Sequence, residues 1–387
     1  MTKILEYVDP ADGLRGWLAY DATDSQLAAG GCRAQAGLTG GELSVLASRM
    51  TLKQRILGLN VDGAKCGIDY NPRSAGRSGA LGRFLTFLRD ELRDRFSMGP
   101  DMGTEWQELQ QLAAAAGVPS TKYAIRKAQG LTDEEFFNRM ARLRDQVGLM
   151  TLSQRRAGHA VGHAVIGAAR AAEVTGQVTA AMQGFGNLGR AAACTLLEEG
   201  VKLVAVADEY GCVVDPAGLD IAGMLSSPPG MPVPQLNTPG VRMRSNAVFE
   251  MPADVLVLAA VKDAMSAAHT AGPPFAAVVV GANCGLSEDA EDALHTRGVF
   301  VVPDFIGGIG GSASMEALFA PRQAPSARQV LGNLAQMMRE LVGEVAETSR
   351  RYSLPPREAA LQLAASRTVD PAAPPYGQCP YLTTPTR

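Results

Sequence analysis

The sequence predicts an α/β protein of two domains, the second of them built on a doubly wound parallel sheet. A chain of 387 residues is longer than one hydrophobic core usually supports, so two domains are expected. After residue 151, short Val-rich runs alternate with helical stretches, which is typical of a parallel sheet covered by helices on both faces. The predicted divisions are a first domain at 1–150, a second at 151–345 and a C-terminal segment at 346–387.

Hydrophobic periodicity predicts the helices of the first domain. A helix is predicted over 41–57, because apolar residues recur on one face at helical spacing: Leu43, Leu46, Met50 and Ile56. Residues 107–149 are also predicted to be helical, with Thr132 as a cap before three acidic residues and a possible hinge at Gly148.

The second domain is predicted from alternating strands and helices. Strands are expected at 178–182, 203–207, 255–258, 277–280 and 299–302. Helices are expected at 158–174, 187–199, 326–349 and 356–366. The Pro- and Gly-rich stretch 226–240 is predicted to be an irregular surface excursion without chemistry, and the chain after 366 to be a loose tail.

Composition narrows the classes of function. The formal net charge of -3 provides no basic field for nucleic acid or an anionic membrane, so small molecules are the expected partners. The six cysteines lack CxxC spacing, which argues against a disulfide framework or a zinc site and indicates a reducing compartment. No apolar leader opens the sequence, and no stretch reaches the ~18 apolar residues of a membrane span. A cytoplasmic protein is therefore predicted.

A glycine-rich turn predicts a dinucleotide site. The strand predicted at 178–182 leads into a GxGxxG pattern and then a helix, the context in which this pattern binds a pyrophosphate. Its residues are Gly184, Phe185, Gly186, Asn187, Leu188 and Gly189. Asp208 ends the next strand, where a carboxylate bonds the adenosine ribose and disfavours a 2′-phosphate, although Glu209 is an alternative. NAD is therefore predicted as the cofactor, with Ala259 assigned to the same site.

Two lysines and one aspartate are candidates for acid–base chemistry. Lys65 lies among small residues in the segment 59–68, and Lys53 precedes it at the end of the first helix. A desolvated lysine beside a second cation can be neutral near physiological pH, as a general base must be. Asp101 lies between backbone-permissive residues in 99–104. The residues alone leave other roles open, since a lysine can snorkel to the surface and an aspartate can cap a turn.

The i, i+4 pair His159 and His163 has the spacing of two metal ligands on a helix. No third ligand or HExxH glutamate accompanies it, so helix packing is predicted and no metal is expected.

Short motifs follow one another in a characteristic order. They are GGCR at 30–33, MTLK at 50–53, GAKCGI at 63–68, PDMGT at 100–104, GFGNLG at 184–189, GAN at 281–283, VPD at 302–304 and GG at 310–311. Because these motifs occur in this order, the chain resembles the glutamate/leucine/phenylalanine/valine dehydrogenase family over nearly its whole length. The resemblance implies an N-terminal α/β substrate-binding and oligomerisation domain, a Rossmann-type NAD-binding domain, and a C-terminal segment 346–387 that packs back on the first domain.

The resemblance also implies an activity: reversible NAD-dependent oxidative deamination of an L-amino acid to a 2-oxo acid and ammonia, performed by a homo-oligomer. Carried over to this chain, it assigns water activation to Lys65, proton transfer to Asp101 and binding of the substrate α-carboxylate to Lys53. The residues it implies around the substrate pocket are Gly30, Gly31 and Met50. Asn283 is implied where the amino acid and the nicotinamide meet.

Two positions predict the side chain of the substrate. In glutamate-specific members a lysine just before the glycine pair meets the side-chain carboxylate, and this chain has Ala29 there. Met315 is aligned with the side-chain pocket and is apolar. A carboxylate buried without a partner costs several kcal/mol, so an apolar amino acid is predicted, with leucine, valine or phenylalanine first. The basic stretch that begins at Lys122 would overturn this prediction by folding over the pocket.

Three departures from the family pattern keep alternatives open. Gly308 replaces an Asn, Ala157 replaces a Thr at the start of the helix that opens the second domain, and 122–149 has no family counterpart. A regulatory homologue without turnover is one alternative. Reductive amination of an unusual 2-oxo acid in a specialised biosynthesis is the other.

Overall fold

The chain folds into two compact α/β units in a computed structural model that describes residues 3–265, 269–270 and 275–382. Unit 1 comprises the described residues of Met1–Met140, Phe319–Ala324 and Ala364–Pro380, and unit 2 comprises those of Ala141–Leu318, Pro325–Leu363 and Tyr381–Arg387. The predicted two-domain α/β fold is confirmed. The chain enters unit 2 before the predicted boundary at 150, and only 364–380 of the predicted returning segment belongs to unit 1.

Unit 1 is built around a mixed sheet. Its strands are β1 (Lys3–Val8), β2 (Arg15–Tyr20), β3 (Leu27–Gln35), β4 (Val61–Asp69) and β5 (Phe96–Pro100). Its helices are α1 (Gly40–Ile56), α2 (Arg77–Phe87), α3 (Arg89–Asp94), α4 (Trp106–Ala115), α5 (Ala124–Ala128) and α6 (Asp133–Ala141), the last of which ends at the unit boundary. The strand order is β1-β2-β4-β3-β5, with β3 parallel to both β4 and β5.

Two hydrophobic clusters cover the two faces of this sheet. On one face, strand residues such as Cys66 and Met98 pack with Leu81 and Phe84 of α2. On the other, Trp17 and Ala19 of β2 pack with α1. Helix α1 was predicted within one residue of its observed ends, and it begins after Thr39, whose hydroxyl accepts from the Glu42 N–H. The sheet is thus held between helices on both faces.

The prediction of one helical region over 107–149 is wrong. Three short helices, α4 to α6, occupy this stretch, followed by a small hairpin of β6 (Gln146–Val147) and β7 (Met150–Thr151). Glycines in the left-handed region follow α4 and α5, with φ of 78° at Gly117 and 67° at Gly130, and Gly148, with φ of 64°, lies in the hairpin turn. Thr132 does cap α6, because its hydroxyl accepts from the Glu135 N–H.

Unit 2 contains a mainly parallel sheet. Its strands are β8 (Thr179–Gln183), β9 (Lys202–Asp208), β10 (Gly211–Val214), β11 (Val241–Met243), β12 (Val255–Leu258), β13 (Ala277–Val280) and β14 (Phe300–Val302). Its helices are α7 (Leu152–Ala171), α8 (Asn187–Glu198), α9 (Ile221–Ser226), α10 (Glu288–Thr296), α11 (Asp304–Gly307), α12 (Gly310–Phe319), which ends at the boundary, α13 (Ala327–Tyr352) and α14 (Pro356–Ser366). The order β11-β10-β9-β8-β12-β13-β14 is parallel from β9 to β14, while β10 and β11 form an antiparallel edge.

Two predictions of irregular chain need correction. Val233, in the Pro- and Gly-rich stretch, is buried, and its N–H donates to the Asp208 carboxylate at 2.6 Å. Residues 367–382, after α14, are not a loose tail, because the Asn60 side-chain amide donates to the carbonyl of Ala373 at 2.7 Å and Tyr376 is buried. Within the described residues, no helix is long and apolar enough to span a bilayer.

Candidate active site

One face of the unit 1 sheet holds the candidate catalytic residues. Side chains alternate along a strand, so the residues on this face come from every second position of β4, β3 and β5: Gly63, Lys65, Ala29, Gly31, Arg33, Ser97 and Gly99. Their chain neighbours, such as Cys66 and Met98, point into the core on the opposite face. Helix α1 covers β4 closely, since a Cβ atom on Gly63 would overlap the helix backbone at Ala47 and Thr51.

Lys65, Asp101 and Arg33 form a buried charge cluster, called here the sheet-face cluster. The Lys65 Nζ lies 2.8 Å from the Asp101 Oδ2, and the Arg33 Nε donates to the same oxygen at 2.9 Å. Burial acts to raise the pKa of Asp101, but the charges of Lys65 and Arg33 outweigh it and hold this pKa below its ordinary value. Asp101 is therefore a carboxylate with two cationic partners.

The sequence predicted that Lys65 lies beside a second ammonium, that of Lys53, whereas in the structure Lys65 forms an ion pair with Asp101. Lys53 is buried on α1, as predicted, and Met50 is half-buried on the same helix. Arg33 was not predicted as a site residue. The signal was present, because Arg33 lies two positions after Gly31 and therefore on the same face of β3.

The two glycines of β3 allow close approach in different ways. A Cβ atom on Gly31 would lie 3.2 Å from the Lys65 Nζ and 3.0 Å from the Asp101 Cβ, which is closer than ordinary van der Waals contact. A Cβ atom on Gly30 would overlap the Ala64 carbonyl. Gly30 therefore allows β3 to pack on β4, while Gly31 allows Lys65 and Asp101 to approach β3 closely.

The loop that presents Asp101 is fastened to β3. The Thr104 hydroxyl donates to the Cys32 carbonyl at 2.7 Å and accepts from the Asp101 N–H at 3.1 Å. Gly103 has a φ of 75°, and a Cβ atom there would overlap the Ala34 carbonyl. These contacts fix the loop against the strand that carries Arg33 and Gly31.

Lys122 contributes a cation that the site prediction did not include. The segment after α4 runs along the edge of β5, where the Met98 N–H donates to the Thr121 carbonyl at 2.8 Å. Lys122 is buried, and its Nζ lies 3.6 Å from the position of a Cβ atom on Gly99, the register partner of Gly31. The ammonium groups of Lys65 and Lys122 therefore flank the Gly31–Gly99 pair.

Ala29 lies on the same face, one register step from that pair. It is the partner of Gly63 on β4 and of Ser97 on β5. Ser97 is fully buried, and its hydroxyl has no hydrogen-bond partner among the described residues. The other cations of the basic stretch are engaged elsewhere, since Arg126 pairs with Asp133 and Lys127 with Asp94.

In unit 2 the glycine-rich turn has the shape that a pyrophosphate requires. Gly184 has a φ of 102°, a Cβ atom on Gly189 would overlap the Gly184 carbonyl, and Gly186 has open space where a Cβ atom would point. Gly186 is the N-cap of α8, which directs the first N–H groups of the helix toward this space. Phe185 is buried beneath the guanidinium of Arg190. These residues fit a dinucleotide.

Asp208 ends β9 as predicted, but its oxygens also hold backbone. Oδ1 accepts from the N–H groups of Tyr210 and Gly211 at 2.9 and 3.1 Å, and Oδ2 accepts from Val233. The carboxylate therefore fixes the β9–β10 turn, and its negative charge remains at the strand end. This negative charge would repel a 2′-phosphate.

The other predicted residues of unit 2 lie at strand ends or on α12. Ala259 follows β12 and donates its N–H to Gln183 at 2.7 Å, whereas Asn283 is exposed after β13. Leu188 is half-buried, and its Cδ2 would contact a Cβ atom on Gly281. Met315 is buried on α12.

One of the family departures, Ala157, is explained in part by packing. A Cβ atom on Gly310 would lie 2.9 Å from the Ala157 Cα, so α12 packs tightly on α7 at Ala157. Ala157 lies in the second turn of α7, because the helix begins at Leu152 rather than at 158 as predicted. Gly308 follows α11, and nothing in the structure explains the glycine at this position.

Arg155, His159 and His163 of α7 form a second buried cluster, called here the helix-interface cluster. The His159 Nδ1 lies 2.9 Å from the Thr195 hydroxyl and its Nε2 3.0 Å from the Leu331 carbonyl, so the ring joins α7 to α8 and α13. Burial lowers the pKa of His159 to about 4 and that of His163 to about 3. In the part of the chain that the structure describes, no group of His, Cys, Asp and Glu side chains could hold a metal ion.

Comparisons with known proteins agree over both units. The family model of the "Glu/Leu/Phe/Val dehydrogenase, dimerisation domain" matches residues 3–116, and that of the "Glutamate/Leucine/Phenylalanine/Valine dehydrogenase" matches residues 152–373. Glutamate dehydrogenase of Thermotoga maritima is 30% identical over 200 residues, which are 49% of this chain and 47% of that protein. Glutamate dehydrogenase of Aeropyrum pernix is 27% identical over 289 residues, which are 73% of this chain and 66% of that protein. The chain thus matches about half to two thirds of the length of these relatives.

A solved structure extends the likeness to three dimensions. The hetero-hexameric glutamate dehydrogenase of Thermus thermophilus, in its Leu-bound form, superposes with a TM-score of 0.74 at 26% identity. The superposition covers 95% of this chain and 88% of that one.

Proposed function

Because the chain belongs to the glutamate/leucine/phenylalanine/valine dehydrogenase family, we propose that it is an NAD-dependent amino-acid dehydrogenase. It would deaminate an L-amino acid reversibly to a 2-oxo acid and ammonia. The observation that carries the proposal is the buried Lys65–Asp101 pair, whose Nζ and Oδ2 atoms lie 2.8 Å apart. An acid–base pair needs such a contact, through which a proton can pass.

The chemistry divides between the two charged groups. When bound, NAD would accept the hydride that leaves the substrate Cα. We assign to Lys65 the transfer of its own proton to Asp101, the activation, as a neutral amine, of the water that attacks the imine carbon, and the stabilisation of the resulting carbinolamine. Asp101 would deliver the proton to the departing ammonia, and its contact with Lys65 lets a proton pass directly between them. Lys53 would bind the α-carboxylate.

NAD is proposed over NADP because of Asp208. Its carboxylate would bond the ribose hydroxyls and repel a 2′-phosphate. Comparing kcat/KM for the two cofactors tests this choice, and a clear preference for NADP would contradict it. The turn from Gly184 to Gly189 would hold the pyrophosphate in either case.

For the substrate side chain, the first candidate is an apolar group. Ala29 supplies no cation, and Met315 is buried and apolar. The test is reduction of NAD at 340 nm with leucine, valine, phenylalanine, tryptophan and glutamate, together with the reverse reaction on 2-oxo acids and ammonia. Turnover of none of these amino acids, with NAD still bound, would instead favour a regulatory homologue.

An acidic side chain is the second candidate, and it is favoured by Lys122. The Lys122 ammonium and the unpaired Ser97 hydroxyl both border the face that carries Ala29 and Gly31. Glutamate turnover that falls at least ~10-fold in Lys122→Met would support this candidate and contradict the apolar one. Lys127→Met is the matched control, since that ammonium is exposed and paired with Asp94.

We also propose a homo-oligomer that assembles through the first domain, located in the cytoplasm. The family description of residues 3–116 as a dimerisation domain supports assembly. None of the six cysteines forms a disulfide, which supports a reducing compartment. Light scattering that gives a monomer at working concentration would refute the oligomer.

A further inference from the structure

An ion-pair chain in unit 2 connects three helices to a candidate ligand loop. Arg357, at the start of α14, donates to both carboxylate oxygens of Glu291 on α10 at 2.6 Å. Its Nη2 also donates to the Asp304 Oδ1 at 3.0 Å. Glu291 and Asp304 are buried, so each carboxylate depends on the guanidinium for a compensating charge.

The other oxygen of Asp304 reaches backbone. Oδ2 accepts from the Cys284 N–H at 3.0 Å. Cys284 has a φ of 55°, a left-handed conformation that a non-glycine residue keeps only where its surroundings hold it. The Cys284 carbonyl in turn accepts from the Asp263 N–H at 2.8 Å. Both backbone polar groups of Cys284, its N–H and its carbonyl, are therefore held by hydrogen bonds.

Cys284, whose backbone is held in this way, directly follows Asn283 in the chain. Asn283 lies just beyond the carboxyl end of β13, the edge of a parallel sheet at which ligands bind in doubly wound folds. The Cys284 N–H belongs to the peptide that joins Asn283 to Cys284, so its hydrogen bond to Asp304 fixes the orientation of that peptide and constrains the backbone from which the Asn283 side chain projects. Asp304, fixed by Arg357, thus acts on the ligand edge without having to touch a ligand.

We propose that Asp304 and Arg357 are positioning residues that hold Cys284 in its left-handed conformation and thereby orient Asn283 toward cofactor and substrate. The inference rests on the proposed function for the role of Asn283. The hold on the loop itself does not depend on that function. The two parts are therefore tested by separate measurements.

The first measurement is hydrogen–deuterium exchange of the purified full-length protein over peptides that contain residues 281–286. In Asp304→Asn and Arg357→Met we expect faster exchange at the Cys284 amide, with the rest of the β13 region unchanged. Glu358→Gln is the matched control, because Glu358 is exposed beside Arg357 and has no ion pair among the described residues. Exchange that stays as slow as in the wild type in both variants would overturn the proposal.

The second measurement is steady-state kinetics of the same variants. A displaced Asn283 should raise KM for NAD or the amino acid, or lower kcat, by on the order of 10-fold to 100-fold. Arg357→Lys keeps the charge but not the bidentate hydrogen bonds of the guanidinium. Its KM and kcat should therefore lie between those of wild type and Arg357→Met. Faster exchange with unchanged kinetics would overturn the positioning of Asn283. An absence of dehydrogenase activity in the wild type would refute the proposed function, while the exchange result still decides the hold on Cys284.

Discussion

The sheet-face cluster of unit 1 and the helix-interface cluster of unit 2 are both buried and charged, yet their surroundings differ. Beside Lys65 and Asp101, a Cβ atom on Gly31 would crowd both charged side chains. Next to the helix-interface cluster, Cβ atoms on Gly158 and Gly162 would press into α8 at Ala191 and Thr195. Glycine thus lets charged side chains lie close to a strand in one place and lets two helices pack closely in the other.

The difference extends to charge. Asp101 keeps a lowered pKa because two cations oppose the effect of burial. His159 and His163 have lowered pKa values mainly because burial disfavours their charged forms, with nearby cations adding to the effect. One cluster therefore holds a carboxylate between two cations, and the other holds two neutral rings in a helix interface. We expect the first cluster to serve chemistry and the two neutral rings to serve stability.

The largest effect is expected from removing the acid–base pair. Lys65→Ala and Asp101→Asn should each lower kcat at least ~100-fold, because general acid–base catalysis contributes that much or more. His163→Asn, the control in the other cluster, should leave kcat within a few-fold of wild type. Near-normal turnover in either active-site variant, with folding verified by circular dichroism, would refute the distinction between the clusters.

A second test uses the pH dependence of stability. Both histidine pKa values are lower in the folded protein than the ordinary value of 6.5, so the unfolded chain binds protons first as pH falls. The stabilisation is therefore complete above pH 6.5 and is lost as pH falls toward 4, by about 1.4 kcal/mol per pH unit for each histidine.

Urea unfolding of wild type and His163→Leu between pH 7 and pH 4.5 measures this loss. The variant should lose less free energy of unfolding over the same range, because it lacks one of the two titrating rings. Equal pH slopes in the two proteins would show that His163 does not titrate as its burial implies.

The smallest effect is expected from Arg33→Gln. Removing this guanidinium takes away one of the two charges that hold the Asp101 pKa down, so that pKa should rise. The acidic limb of the kcat/KM profile should then move to higher pH by about one unit. Arg83→Gln, which breaks an arginine pair with Asp9 elsewhere in unit 1, should leave the limb in place. A limb that does not move would mean that another group sets it.

Sequence periodicity predicted the elements of unit 2 better than those of 107–149. Strands β12 and β13 have the predicted bounds, since buried parallel strands are continuous runs of Val and Leu. Helix α13 begins one residue after Ser326, the first residue of the helix predicted over 326–349, and the Ser326 side chain forms a capping box with Gln329. The 107–149 prediction failed because Gly117 and Gly130, both in the left-handed region, break the stretch after α4 and α5, and because Gly148 lies in the turn between β6 and β7.

Sequence alone determined what depends on neighbouring residues: the glycine turn after β8, the cap of α6 at Thr132, and the family motifs around Lys65 and Asp101. Only the tertiary structure decided which side chains meet across strands. Arg33 lies on the face of Lys65 because β3 pairs in parallel with β4, and its spacing from Gly31 already indicated that face. Lys122 borders the same face because the segment at Thr121 joins the β5 edge. Strand register and edge contacts are non-local, so no local pattern in the sequence could place Lys122 beside Gly99.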